Sequence, residues 1–293
     1  MLPVLFTIGP IKIYTFGVFL VLAFFWGTFI LWKLIRLTSF KEEEVFDGMF
    51  VGLIGALFFG RLFYVILNFK DFGFSFIKFI LINGYPGLSL YGALFGGLIF
   101  LYFYFSLKNI KFLEVVDYFV PALMIALAFG KLGSFFSGVE VGTKTKFLFS
   151  IKYVGFEGMR HLTSFYEAMF FFLGLYLSYK ILFEIRREKF PYGFNLKFFG
   201  WFFSLSYFLF DKIKANHLYL KKYNFNYGLS AILLLTFSFY FLYYFRSLIF
   251  AETLIIIKTI KNYGHKTFKK IFSQAKRQIN KRKESHSKTD RRT

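Results

Sequence analysis

Lys131 stands in the run GKLGSFFSGVEVG (130–142), which ends an apolar stretch nearly free of charge from Tyr118 to Phe129. A charge at membrane depth costs about 2.5–3.5 kcal/mol or more, so it is kept where it faces protein, water or a ligand. Glycines every few residues let backbones approach closely or break a helix beside a bound head group. The run therefore reads as a site inside a membrane. Lys131 suits an anion such as phosphate, as a point charge rather than the bidentate fork of an arginine, or else it snorkels to the membrane interface.

Further polar residues fall in equally apolar surroundings: Arg61 in FGRLFY, Tyr91 in GLSLYGALFGG, Asp117 in DYFVPA and Ser134 beside Lys131. Arg160, His161, Tyr166 and Glu167 follow in RHLTSFYE, and Asp211 in YFLFDKIK. Arg61 offers a second cation for a phosphate, or an ion pair with Asp47 or Asp117. Tyr91 is an acid or base only if a cation lowers a phenol that ordinarily titrates near 10; otherwise it is an aromatic that hydrogen-bonds a head group or a helix. His161 is of the one residue type suited to proton transfer near neutral pH, although a solvated loop histidine is its plain reading. Glu167 has Arg160 and Lys131 as possible partners, and Asp211 with Lys212 reads as a structural pair.

Composition sets the class that must position these residues. Apolar residues make up 57% of the 293, against about 45–50% in soluble domains, and the mean hydropathy is +0.54. The 50 phenylalanines and 20 tyrosines, beside abundant Lys and Ile, point to a biased source composition, so single aromatics carry little functional weight. With no cysteine, disulfides, thiolate-ligated metals and a cysteine nucleophile are excluded. No metal site or cofactor is expected.

Apolar runs of roughly 18–24 residues span about 30 Å of hydrocarbon. They fall near 13–35, 45–67, 86–107, 115–137, 162–183, 196–213 and 227–249. The expectation is an all-α integral membrane protein of about seven transmembrane helices. The segment KDFGFSFIKFILING (70–84) reads as an interfacial helix. The N-terminus lacks the basic start and cleavage site of a secretory signal, so its first apolar segment is expected to remain as a helix. Residues 1–249 would form the membrane domain and 250–293 a basic tail.

In the tail, Phe268, Ile271, Phe272, Ala275 and Ile279 recur at helical spacing among lysines, which suits a basic amphipathic helix on an anionic leaflet. Beyond Lys281 the composition reads as disordered. No groove-reading or base-stacking module is present, so no specific nucleic-acid partner is expected. The loops on the two sides carry similar numbers of basic residues and do not decide the orientation, but the basic tail tips the expectation to an N-terminus outside and a C-terminus in the cytoplasm.

The order of the polar residues resembles the prolipoprotein diacylglyceryl transferase family, from about Phe6 to Tyr240. TIGPIKIYTFG is similar to the family's "IGP…YG" opening, and FFGRLFYV to its Gly-Arg-x-x-Tyr helix. NGYPGLSLYGALFGG is similar to "GGLSFHGGLIGG", and RHLTSFYE to "RHPSQLYE". DYFVPALMIALAFGKLGSFFSG is similar to "D-x-x-AP…A-x-GRxGNFxNG".

There are departures. Tyr91 stands for the family's signature histidine, Lys131 for its arginine, Ser134 for its asparagine and Val139 for its glutamate. Phe16 replaces the tyrosine of "YG", and Tyr207 and Asp211 replace an Arg-x-x-x-Glu pair.

The resemblance implies a bacterial plasma-membrane enzyme that moves diacylglyceryl from phosphatidylglycerol to the cysteine thiol of a lipobox prolipoprotein, releasing glycerol phosphate. It implies catalytic roles for Tyr91, Lys131 and His161. Phospholipid would be held by Arg61, Lys131, Ser134, Gly138, Gly142, Arg160 and Glu167, with support from Asp117, Tyr166 and Asp211. The alternative is a member that binds anionic lipid or precursor without transfer. A transporter would need broken-helix repeats in two halves, and none is visible.

Overall fold

A computed structural model describes residues 2–81, 84–215, 217, 219–220 and 223–247. The expected basic tail lies outside them. The chain forms two compact units, Met1–Phe237 and Ser238–Thr293. The second is described only through residue 247, as the end of a helix that begins in the first.

The protein is helical, with α1 (Thr15–Ile35), α2 (Glu42–Leu67), α5 (Leu90–Leu107), α6 (Phe112–Ser137), α7 (Thr163–Arg186) and α9 (Phe225–Tyr244). These six are long and apolar enough to cross a membrane. The expected sixth crossing is α8 (Phe194–Phe210), 17 residues, or about 26 Å of rise. It ends early because Asp211 opens a 3₁₀ turn through Ile213.

Two features depart from the sequence expectation. The interfacial segment is two short helices, α3 (Phe69–Phe72) and α4 (Phe76–Ile80), because Gly73 adopts a left-handed φ of 57° between them. Phe74, Phe76 and Ile77 on this segment are exposed, as an element lying against lipid would have them. Residues before α1 form a hairpin of β1 (Val4–Ile8) and β2 (Ile11–Tyr14). Leu2 N donates to Phe136 O at 3.0 Å, which fixes the hairpin beside the end of α6.

Helix pairing follows small residues, since lipid is as apolar as leucine and only close van der Waals approach favours association. At the α2–α5 crossing a Cβ added to Gly96 would lie 2.5 Å from Gly55 O, and one added to Gly55 2.8 Å from Gly96 O. Only glycine fits there.

The central helix is α6, packed on α1 and α7. Leu34, Ile35, Val45, Phe105, Val115 and Leu182 gather into one apolar core where α1, α2, α5, α6 and α7 meet. Asp117 belongs to this end. Its carboxylate accepts from Gly193 N at 2.6 Å and Leu196 N at 3.0 Å, satisfying donors that the first turn of α8 leaves unpaired. Lys131 lies fourteen residues further along the same helix, about 21 Å away.

Candidate active site

Helix α6 ends because Gly138 takes φ +74°, with Gly138 N and Val139 N both returning to Ser134 O. That left-handed residue reverses the chain and brings Glu140 back under Lys131. Both Glu140 carboxylate oxygens lie 2.9 Å from Lys131 Nζ. The segment then runs antiparallel to the stretch after α8: Thr143 N donates to Ile213 O at 2.9 Å and Ala215 N to Val141 O at 2.8 Å. Gly142 is opposite Lys214 in this pairing. A Cβ on Gly142 would stand 2.3 Å from His161 O, so a side chain here would push residues 140–143 away from the segment that leads into α7.

The result is a cluster of two lysines and two glutamates. Lys131 Nζ is 2.9 Å from Glu167 Oε2, and Lys214 Nζ is 2.7 Å from Glu167 Oε1 and 3.7 Å from Glu140 Oε2. Ser164 donates to Glu140 Oε2 at 3.0 Å. The Tyr207 ring faces both ammonium groups, at 5.4 Å from Lys131 and 4.6 Å from Lys214, within cation–π range. Side-chain exposure is 6% for Lys131, 7% for Lys214, 0% for Glu167 and 32% for Glu140.

Burial raises the pKa of Glu140, but Lys131 and Lys214 outweigh it and hold the carboxyl well below the usual carboxylate range. Lys214 is pushed down by burial and by Lys131, yet Glu167 and Glu140 leave it above the ordinary lysine value. Both groups are therefore charged at neutral pH, and the four formal charges cancel.

Lys131, Ser134, Glu140 and Tyr207 also border a cavity of about 550 Å³. Its other walls are apolar, among them Phe16, Leu20, Leu53, Leu94, Leu123 and Phe199. A polar end of paired charges joined to an apolar chamber suits an amphiphile with a polar head.

The structure distributes the other sequence candidates around this cluster. Glu167 chooses Lys131 over Arg160. Arg160 instead donates to Gly142 O at 3.0 Å and stacks on Phe156. Tyr91 is buried and meets Tyr207 edge-on with ring centroids 5.4 Å apart. Ser230 is its polar neighbour, but among the described residues no hydrogen bond of sound geometry reaches the Tyr91 hydroxyl.

His161 packs between Phe147 and Tyr166, and its Nδ1 is buried without a hydrogen-bond partner among the described residues. Tyr166 donates to Phe149 O. Asp211 pairs with His217 at 3.2 Å and accepts from Asn224, while Lys212 sits over the Tyr227 ring.

Arg61 is 2% exposed and donates to Phe79 O at 2.8 Å, Gly87 O at 2.8 Å and Lys78 O at 2.6 Å. It ties the α3–α4 segment to α2 rather than pairing with Asp47 or Asp117.

Sequence reasoning passed over Glu140, Ser164 and Lys214. Glu140 is the only acid in GKLGSFFSGVEVG, and Lys214 closes the run DKIK after a buried helix. Those were the available signals, but the meeting of Glu140 and Lys214 depends on the pairing of residues 140–143 with 213–215.

Residues 3–244 match the family model described as prolipoprotein diacylglyceryl transferase. A phosphatidylglycerol–prolipoprotein diacylglyceryl transferase of Clostridium tetani is 31% identical over 194 residues, covering 64% of this chain and 76% of that protein. One from Clostridioides difficile is 28% identical over 186 residues, covering 64% of this chain and 72% of its own. One from Wigglesworthia glossinidia brevipalpis is 28% identical over 158 residues, 52% of this chain and 55% of its own length. A match over four-fifths of the sequence agrees with the multi-pass helical architecture, and the chain belongs to the prolipoprotein diacylglyceryl transferase family.

Proposed function

We propose that this protein transfers diacylglyceryl from phosphatidylglycerol to the cysteine thiol of a lipobox precursor in a bacterial plasma membrane. The observation that carries this reading is Lys131 on the wall of an apolar cavity, with Lys214 joined to it through Glu167 and Glu140. In the reaction the cysteine sulfur forms a bond to the terminal glycerol carbon of the diacylglyceryl group. The bond from that carbon to the phosphate oxygen breaks, and its electron pair leaves with glycerol phosphate. The thiol proton passes to water.

The leaving phosphate gains charge as the C–O bond breaks, and fixed cations in a water-poor site stabilise that charge more than they stabilise the ground state. Lys131 and Lys214 supply them. A thiol brought beside the same ammonium groups has its pKa lowered from about 8.5, which favours the nucleophilic thiolate. Ser134 on the cavity wall is placed to hydrogen-bond a head-group oxygen. Tyr207 lines the cavity beneath the ammonium groups, and the Tyr91 ring packs edge-on against it. His161 and Arg160 lie in the segment leading into α7, on the side where a precursor peptide would arrive if the N-terminus faces outward. The apolar cavity takes the acyl chains.

A second reading, binding of anionic lipid without transfer, is favoured by one observation: each lysine is already neutralised by buried or half-buried carboxylates. Complementation of a transferase-depleted bacterium, with transfer assayed on a lipobox peptide and phosphatidylglycerol, decides between them. Thioether product supports transfer. Its absence from correctly inserted, folded protein leaves the binding reading.

A further inference from the structure

We propose that Lys131 and Lys214 form a site for a singly charged phosphodiester, and that Glu140 is a displaceable counter-ion occupying that site at rest. The inference rests on the anionic-lipid reading of the cavity, but not on transfer. It starts from an asymmetry between two carboxylates that neutralise the same lysines. Glu167 is fully buried on the second turn of α7, touches both ammonium groups and does not border the cavity. Glu140 is 32% exposed, sits on an irregular segment between Gly138 and Gly142, and does border the cavity. An amphiphile entering from the apolar chamber therefore meets Glu140 on its way to Lys214.

Charge arithmetic selects the ligand. With Glu140 in place the cluster is neutral, and an arriving anion would be held with no net attraction. With Glu140 turned out to water, Lys131, Lys214 and Glu167 leave a single positive charge. One phosphodiester monoanion restores neutrality, with an oxygen in the place of each Glu140 oxygen. A phosphate monoester, whose second pKa is about 6, carries close to two negative charges at neutral pH and overfills the site. Return of Glu140 is then favoured as a monoester product leaves. The same exchange explains why a buried lysine pair persists without ligand: neither ammonium is ever left unpaired in a medium where that is costly.

Glu140→Gln tests this directly. The amide keeps the shape and the contact with Ser164 but no longer competes as an anion. Detergent-solubilised full chain is titrated by calorimetry with dioctanoyl phosphatidylglycerol and, separately, dioctanoyl phosphatidic acid; glycerol phosphate serves as the free-phosphate control. The expected result is about tenfold tighter binding of both lipids, by the same factor, because what is removed is the displacement of Glu140 rather than a contact with either ligand. Ser164→Ala, which keeps every charge and loosens Glu140 by one hydrogen bond, should tighten binding in the same direction by a smaller factor.

Weaker lipid binding in Glu140→Gln or Ser164→Ala overturns the proposal, since Glu140 would then be positioning Lys131 for the ligand. A distinctly larger gain for phosphatidic acid than for phosphatidylglycerol also overturns it, because a fixed carboxylate that merely repels a bound anion acts more strongly on the higher charge. Binding of glycerol phosphate as tight as that of the lipids would assign the site to free phosphate and overturn the lipid assignment. Absence of binding to wild type and variants removes the site altogether. Transfer on a lipobox peptide is measured on the same preparations: tightened binding without any transfer defeats the transferase reading and leaves the counter-ion inference standing.

Discussion

Lys131 and Glu140 are nine residues apart and meet with both carboxylate oxygens 2.9 Å from the ammonium nitrogen. That contact exists because a glycine C-cap folds the chain back on α6, so a helix end, a cation and its counter-ion form one local unit. Glu167 then ties the unit to α7 and Lys214 ties it to the end of α8. The cluster is thus both the polar end of the cavity and the junction of helices on which the cavity depends.

Substitution of Lys131 should separate those two roles. Lys131→Ala leaves Glu167 and Glu140 with one fewer cation in a buried setting, and removing one partner of a buried pair destabilises by about 3–5 kcal/mol. A lowered thermal midpoint in detergent together with loss of lipid binding is expected. Lys131→Arg keeps the charge and adds a fork suited to phosphate. It should keep the midpoint within a few degrees while binding phosphatidylglycerol at least as well as wild type. Loss of binding in the arginine variant with an intact fold would remove Lys131 from the phosphate site.

The pH dependence follows from the two groups of the cluster that lie outside the membrane-spanning segments. The Glu140 carboxyl is held below its usual value by Lys131 and Lys214, against burial. Its contribution to stability is present above an unfolded pKa of about 4.3 and is lost as pH falls through the lower native value. Lys214 is raised, by Glu167 and Glu140, against burial and Lys131. Its contribution is present below about 10.4 and is lost as pH rises through the higher native value. From about pH 5 to 9, then, neither group changes charge in either state. The difference in thermal midpoint between wild type and Glu140→Gln should be flat across that window and shrink below it. A step inside the window would show that another group controls the cluster.

The helices were legible because their periodic cause is simple: long apolar runs must close their own backbone hydrogen bonds in lipid. The expected crossings at 13–35 and 115–137 became Thr15–Ile35 and Phe112–Ser137. The site was legible only in part. Lys131 announced itself as a cation in an apolar run, and Glu167 as an acid next to Tyr166 in RHLTSFYE. Glu140 and Lys214 did not, since each acquires meaning from the antiparallel pairing of two distant loops. Asp117 and Arg61 share the signature of an intramembrane ionisable residue yet cap a helix and pin a loop. Sequence alone does not distinguish a charge that binds a ligand from one that binds backbone.

Arg61 makes that distinction testable. Its three hydrogen bonds all go to carbonyls, at Lys78, Phe79 and Gly87. A carbonyl fully shielded from water and left without a donor costs about 1–3 kcal/mol, and these part-buried ones lose up to that much. Arg61→Ala should therefore lower the thermal midpoint and increase proteolysis between α3 and α5, and Arg61→Lys should rescue it poorly because one ammonium cannot reproduce the fork. Lipid affinity measured on the fraction that remains folded should be near wild type. A selective loss of phosphatidylglycerol binding, with unchanged stability, would return Arg61 to the list of phosphate ligands.

Tyr91 stands in GLSLYGALFGG, the run that resembles the family's histidine-bearing signature, and among the described residues its buried hydroxyl has no sound hydrogen bond. A buried polar atom in that condition destabilises the fold, so replacing it by hydrogen should be neutral or stabilising by about 1 kcal/mol. The ring itself packs on Phe203 and Tyr207, and Phe retains that packing. The Tyr207 ring touches both the Tyr91 ring and the two ammonium groups, while Tyr91 makes no ring contact with either lysine among the described residues. Tyr91→Phe should then keep transfer within a few-fold of wild type, with an equal or higher thermal midpoint, whereas Tyr91→Ala should lose both through the cavity it opens. If instead Tyr91→Phe abolishes thioether formation while lipid binding and stability are unchanged, the phenol is the acid or base of the reaction and the lysine pair alone does not account for catalysis.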